Sequence, residues 1–343
     1  MVPVRELGRA LGGDRPCFRM TVAFSRHGSW RNPFGGASMV SDRSVPGRVW
    51  AQVCLLGLVL LLSACTTVPK PSVNTAPAPR AIGDCCQQPE RYPKGLVTLA
   101  EPFAPAIGKL VAAVVWRKGY LLRHEAAIDT ILADLRPLDI ITVNNKGRLS
   151  GHAIPGHFGH AAIYVGNERQ LRQAGVWNHP DVRRHHDAIR KGALFIEADN
   201  KDVHLSNAPL ALDADAIAHL RPKGLSPSRR RQAIAEFFRR VGMPFDYYFD
   251  LDTTACTFCT ELVNMVLPEM RLPQRSVYGR RLILPDEMMA ATLSGRTGFA
   301  FLRYVSADRD HWLVRGRQAV AADLRAAWPA PRRPPHVATM ASR

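Results

Sequence analysis

The chain has 343 residues, 46% of them hydrophobic and 22% charged, with 46 Lys+Arg against 29 Asp+Glu for a formal net charge of +17. This balance excludes an intrinsically disordered polyelectrolyte and leaves room for one or two domains with a sizeable core. Setting aside the first 64 residues, which hold eight Arg and three acids, leaves +12, so the basic character belongs to the body. Such a surface suits anionic partners (cell-wall polymers, acidic lipid headgroups or nucleic acid) or is simply a solvated face.

Residues 1–38 carry scattered Arg, Gly and Pro without periodicity, and Met39 is a second candidate start. Ala51 to Leu62 (AQVCLLGLVLLL) is an apolar run too short to span a bilayer and of the length of a signal-peptide core, with Arg43 and Arg48 as its positive flank. Leu62-Ser63-Ala64-Cys65 follows at once and resembles a bacterial lipobox, in which Cys65 is lipidated and becomes the mature N-terminus. Thr66 stands where an acid would retain such a protein at the inner membrane, which implies delivery to the outer membrane.

The reading divides the chain into an extension and signal peptide over 1–64, a Pro/Ala/Thr-rich tether over 65–95, a helical segment over 96–134, a catalytic domain over 135–310 and a disordered tail over 328–343. In the helical segment Leu110, Val114, Leu121, Leu122, Ile128 and Leu132 recur at helical spacing, with a break near Gly119. Strands are expected at Asp139–Val143, His160–Val165 and Ala193–Ala198, and further on at Leu282–Leu284 and Phe299–Val305. Ser226-Pro227 opens a helix that ends at Gly242, and a second helix starts near Phe258 and stops at Pro268.

An exported protein meets an oxidising compartment, so its cysteines need accounting for. Beyond Cys65 lie the adjacent Cys85-Cys86 and the pair Cys256/Cys259. Cys259 sits at a helix start, where the dipole and the unpaired N–H groups favour a thiolate and can receive an oxyanion. Its base must come from elsewhere: His160 opens a strand that fixes its direction, with His152 and His157 as competitors. Glu197 in the next strand is the candidate to orient the imidazole, with Asp199 as rival. A Cys256–Cys259 disulfide would silence the site, and Cys256-x-x-Cys259 also admits a thiol-disulfide function.

GHFGHAAIYVG (Gly156 to Gly166), FDYYFD (Phe245 to Asp250) and CTELV (Cys259 to Val263) together resemble the YiiX/YebB-type branch of the NlpC-like cysteine hydrolases. The resemblance implies a circularly permuted papain-like fold of the α+β class, in which a small antiparallel sheet packs on the Cys helix and the His strand precedes it. It also implies an opening aspartate motif, matched by LRPLDIITV (Leu135 to Val143), and an arginine-containing segment, matched by Leu220-Arg221-Pro222. The basic stretch Arg169 to Lys191 departs from the pattern, as does Cys256. Glu261 and Tyr247 match family positions but are explained by helix-start electrostatics and aromatic packing.

The expectation is therefore an envelope cysteine hydrolase that cleaves an amide through Cys259, His160 and Glu197, on cell-wall peptide. The alternatives are acyl transfer or hydrolysis on lipid, as in the lecithin:retinol acyltransferase-like group, and a thiol-disulfide protein or nonenzymatic scaffold. No cofactor, metal or nucleic acid is expected, since neither zinc-ligand spacing nor a phosphate-binding Gly loop is present. The partners expected are the substrate and, through the acyl anchor, the outer membrane facing the periplasm.

Overall fold

The computed structural model describes residues 85–328; the signal-peptide run, Cys65 and the tail after Trp328 lie outside them. The first helices are α1 (Lys94–Ala100) and α2 (Ala104–Ala113), joined through a 3-10 turn at Glu101–Phe103, and α3 (Glu125–Asp134) follows a second 3-10 turn at Tyr120–Arg123. The expected interruption therefore spans 114–124. Gly119 marks its centre because an added Cβ would sit 2.1 Å from the Ala214 backbone nitrogen.

Strands β1 (Ile140–Asn144), β2 (His160–Tyr164) and β3 (Ala193–Asp199) fall where β-branched runs place them. The short helix α4 (Ser150–Ala153) precedes β2, and α5 (Glu168–Gln173), α6 (Pro180–Arg183) and α7 (His186–Arg190) lie between β2 and β3. After β4 (Asp202–Asn207), α8 (Ala208–Ala211) and β5 (Ala216–Pro222) come α9 (Pro227–Arg239) and α10 (Cys259–Val266). The hairpin β6 (Arg275–Val277) and β7 (Arg280–Leu282), then α11 (Pro285–Leu293), β8 (Phe299–Ala307), β9 (Trp312–Arg315) and α12 (Arg317–Ala327) complete the order.

Seven strands form one antiparallel sheet in the order β4-β3-β2-β1-β5-β8-β9, larger than the small sheet expected. Its central strand β1 is buried along its whole length, so period-two alternation feeds apolar side chains to both faces. Ile140 and Ile163 face the larger core with Phe237 of α9 and Leu262 and Val263 of α10. Ile141 and Val143 face a second core with Ala127 and Ile131 of α3. The α+β permuted papain-like architecture is thus in place, with the His strand ahead of the Cys helix in the chain and the helical segment before both.

One acidic knot ties the sheet together. Asp139, 1% exposed, accepts from His219 Nε2 at 2.7 Å and from Arg221 Nε and Nη2 at 2.8 and 2.6 Å. Burial would raise this carboxyl, but the bonds from Arg221 and His219 outweigh it and hold Asp139 below the usual carboxylate range. The aspartate of LRPLDIITV and the arginine of Leu220-Arg221-Pro222 therefore meet as a β1–β5 clamp.

The basic stretch 169–191 is a packing element. Leu171, Trp177, Val182 and Ile189 enter the larger core. Trp177 stacks on His186 with ring centroids 3.6 Å apart, and Arg172 and Arg190 lie over its indole. Asp181 of α6 is bonded by Arg239 of α9 at 3.0 Å.

Candidate active site

Cys259 begins α10, 4% exposed, and is a free thiol, so the silencing disulfide with Cys256 is not formed. The first helical bond of α10 runs from Leu262 N to Phe258 O at 2.8 Å, so the N–H groups of the first turn have no intrahelical acceptor. Thr260 Oγ1 donates to Ile283 O at 2.7 Å and anchors that turn. Glu261 reaches back to the Phe258 N–H at 3.3 Å. Burial pushes the Glu261 carboxyl up to about 8, against the bond from Phe258, so it is largely neutral at pH 7.

His160 opens β2 and is paired in register with Val143 of β1. Glu197 of β3 stands opposite Ala162, two residues along from His160 and hence on the same face, within diagonal reach. His160 Nε2 donates to Glu197 Oε2 at 2.8 Å. The Cys259 side chain also acts on this imidazole, favouring its charged form; with Nε2 committed to Glu197, Nδ1 is the ring nitrogen left for a thiol. Burial alone would lower the His160 pKa, but Cys259 and Glu197 outweigh it and hold the ring well above its ordinary value. Burial likewise works against the Glu197 carboxylate, and His160 and Ser206 overcome it to keep that pKa low.

The rivals lie elsewhere. Asp199, at the end of β3, caps the turn through Lys201 N at 2.8 Å and faces His204 at 3.6 Å. His157 is bonded to Asn144 and, through Nε2, to Tyr304 Oη at 2.8 Å; burial pushes it down to about 4, so it is neutral. His152, on α4, packs at a tilt against Trp116, with ring centroids 5.6 Å apart.

Two contributors escaped sequence reasoning. Ser206 of β4 donates to Glu197 Oε1; the alternation in DVHLSN was its available signal. Asp286, at the start of α11, accepts from the N–H groups of His157 and Phe158, both at 2.7 Å, and from Trp328 Nε1 at 2.7 Å. It fastens the turn leading into β2 from 128 residues away, and nothing local announces that. Burial pushes Asp286 up to about 6 despite these three donors.

A cavity of about 200 Å³ opens on Cys259, lined mainly by apolar side chains including Tyr92, Ile154, Tyr248, Phe249 and Leu284, with Arg91 and Arg280 at its edge. The FDYYFD segment forms one wall, its turn organised by Asp246, which accepts from the N–H groups of Tyr248 and Asp250 at 2.8 and 2.7 Å. The end of the expected tether forms part of the rim. Tyr278 N donates to Glu90 Oε1 at 2.8 Å, and Tyr92 N donates to Tyr278 Oη at 2.7 Å. Among the described residues no group of three or more His, Cys, Asp or Glu is placed to hold a metal ion.

A thiol at a helix start and an imidazole hydrogen-bonded to a carboxylate, with the helix N–H groups beside the sulfur, can perform nucleophilic acyl transfer. The family model described as permuted papain-like amidase enzyme, YaeF/YiiX, C92 family, matches residues 134–319. Comparison with curated proteins gave no match, and comparison with solved structures gave none either.

Proposed function

Since the chain belongs to the permuted papain-like amidase family, YaeF/YiiX, C92, we propose that it is an envelope cysteine amidase with Cys259 as nucleophile, His160 as base and Glu197 as the group that orients the ring. The observation that carries this reading is the His160–Glu197 hydrogen bond at 2.8 Å, on an imidazole whose charged form Cys259 also favours. In the reaction the thiolate adds to the amide carbonyl, and the N–H groups at the start of α10 receive the oxyanion. The C–N bond then breaks as the His160 imidazolium gives its proton to the departing amine. Water, losing a proton to His160, adds to the thioester; the C–S bond breaks, releasing the acid and restoring the thiolate.

The substrate we assign is a peptide amide of the cell wall, in keeping with an exported, basic body. The apolar lining of the cavity also favours a second reading, hydrolysis or transfer of a lipid acyl group. Incubation with muropeptides and with phospholipid separates the two: new amines support the first reading, free fatty acid the second.

The test of the site is iodoacetamide labelling across pH, read by mass spectrometry. His160→Ala is expected to slow the labelling of Cys259 and to change its dependence on pH. Slow labelling indifferent to His160 would leave Cys259 an inert core thiol.

A further inference from the structure

The stretch Lys94–Ala113 is helical over 20 residues, long and apolar enough to cross a membrane, and none of it is buried. Its two faces are inverted relative to an ordinary surface helix. Val97, Ala100, Ala104, Gly108 and Ala112, mostly small, are half-buried against the body. Gly108 allows that approach, because a Cβ there would lie 2.4 Å from Tyr247 Cδ1. Glu101, on the same face, is salt-bridged to Arg280 at 2.8 Å. The large side chains Leu96, Leu99, Phe103, Ile107, Leu110 and Val114 follow each other at three- and four-residue steps and point outward, Leu99, Leu110 and Phe103 being 75%, 66% and 63% exposed. The outward stripe is about 30 Å long at 1.5 Å per residue and continues into exposed Val115 and Trp116.

The charges around the stripe say what covers it. Between residues 90 and 118 there are five cations, Arg91, Lys94, Lys109, Arg117 and Lys118, and two acids, Glu90 and Glu101; Lys94 is salt-bridged to Glu90 and Arg117 to Asp215, which leaves the stretch net basic. A second copy would bring like charges together, and residues 1–64 and 329–343 of this chain are themselves basic. An apolar stripe without directional polar groups, flanked by cations and ending in an exposed Trp, fits a flat anionic surface with hydrocarbon beneath. We propose that α1 and α2 lie in the headgroup layer of an anionic phospholipid bilayer, seating the body on the membrane by a contact separate from any acyl anchor. Tyr92, exposed at one end of the stripe, also lines the Cys259 cavity, so the seated protein opens that cavity close to the headgroups.

The test uses the full chain carrying Cys65→Ser, which removes acylation, with vesicles of phosphatidylglycerol and brominated phosphatidylcholine. Fluorescence quenching that disappears in Trp116→Phe reports on this helix and not on the apolar run Ala51 to Leu62. We expect Trp116-dependent quenching, and at least a tenfold weaker vesicle affinity by that readout in Leu99→Gln/Phe103→Gln/Leu110→Gln. Because those side chains are exposed, the variant should melt with the wild type, and Cys259→Ala should bind vesicles like wild type, so membrane seating is scored apart from catalysis. No Trp116-dependent quenching, or quenching unchanged in the triple variant, would overturn the proposal. A concentration-dependent dimer that the triple variant abolishes, without quenching, would overturn it in favour of a second copy.

Discussion

A histidine placed in a sheet normally loses its charge, yet His160 is held above its ordinary pKa because Glu197 and Cys259 both favour the imidazolium. Its raised folded value stabilises the protein fully below about pH 6.5, where an unfolded histidine is also charged, and this is lost as pH rises through the folded value. Glu197, held low, contributes above about pH 4.5 and loses its contribution as pH falls through its folded value. Glu197→Gln should therefore lower the melting temperature most between about pH 4.5 and 6.5, with the curves converging outside that window. The same variant should move the alkaline limb of amidase activity to lower pH and reduce kcat/KM by about 10²-fold, a change in charge stabilisation that pH–rate profiles resolve. A parallel loss of activity at every pH would assign Glu197 a merely structural role. Cys259 at a helix start was legible residue by residue. Choosing His160 from twelve histidines took the strand pattern and the family resemblance together, and for Ser206 the alternation in DVHLSN does not name its partner, which only β3–β4 pairing supplies.

At the level of elements, the periodicity of β1, β2, β3, α9 and α10 carries their positions, since each buries a continuous apolar face. Among the elements missed are β4, β5, β9, α11 and α12, and the strand expected at Leu282–Leu284 lies instead at Arg280–Leu282. β5 mixes His219 and Arg221 into an apolar run, and its polarity makes sense only once both side chains find Asp139. Removing the buried partner, Asp139→Ala, should cost about 3–5 kcal/mol by leaving His219 and Arg221 uncompensated, measured by chemical denaturation. Because β1 pairs with β5 along the whole length of β1, the loss should appear as reduced cooperativity or stability, with Cys259 labelling in the remaining folded fraction unchanged. The turn before β2 behaves differently. Asp286→Asn keeps one acceptor oxygen where two backbone N–H groups need one each, and should cost about 1–3 kcal/mol. It should also slow Cys259 labelling, because that turn sets the position of His160; labelling at the wild-type rate would show that β1 pairing alone positions the ring.

Over the whole molecule, the body extends past the boundary at residue 310: Val320, Ala321 and Leu324 of α12 are buried in the larger core beside α11 and β8. Leu324→Ala should cost about 2–5 kcal/mol through the cavity it leaves, and a chain ending at residue 310 should melt well below one ending at residue 328; equal melting would make α12 an appendage. By itself the sequence determined where β1, β2, β3, α9 and α10 lie, because apolar periodicity is local and additive along the chain, while the α+β permuted papain-like fold and the choice of Cys259 over Cys256 came with the family resemblance. The tertiary structure brought His160 against Glu197 and placed His157 and Asp199 against other partners. It also joined Asp139 to Arg221 and turned the large side chains of α1 and α2 outward. Each of these depends on which residues distant in sequence come to face one another, and strand register and helix docking fix that only when the core closes.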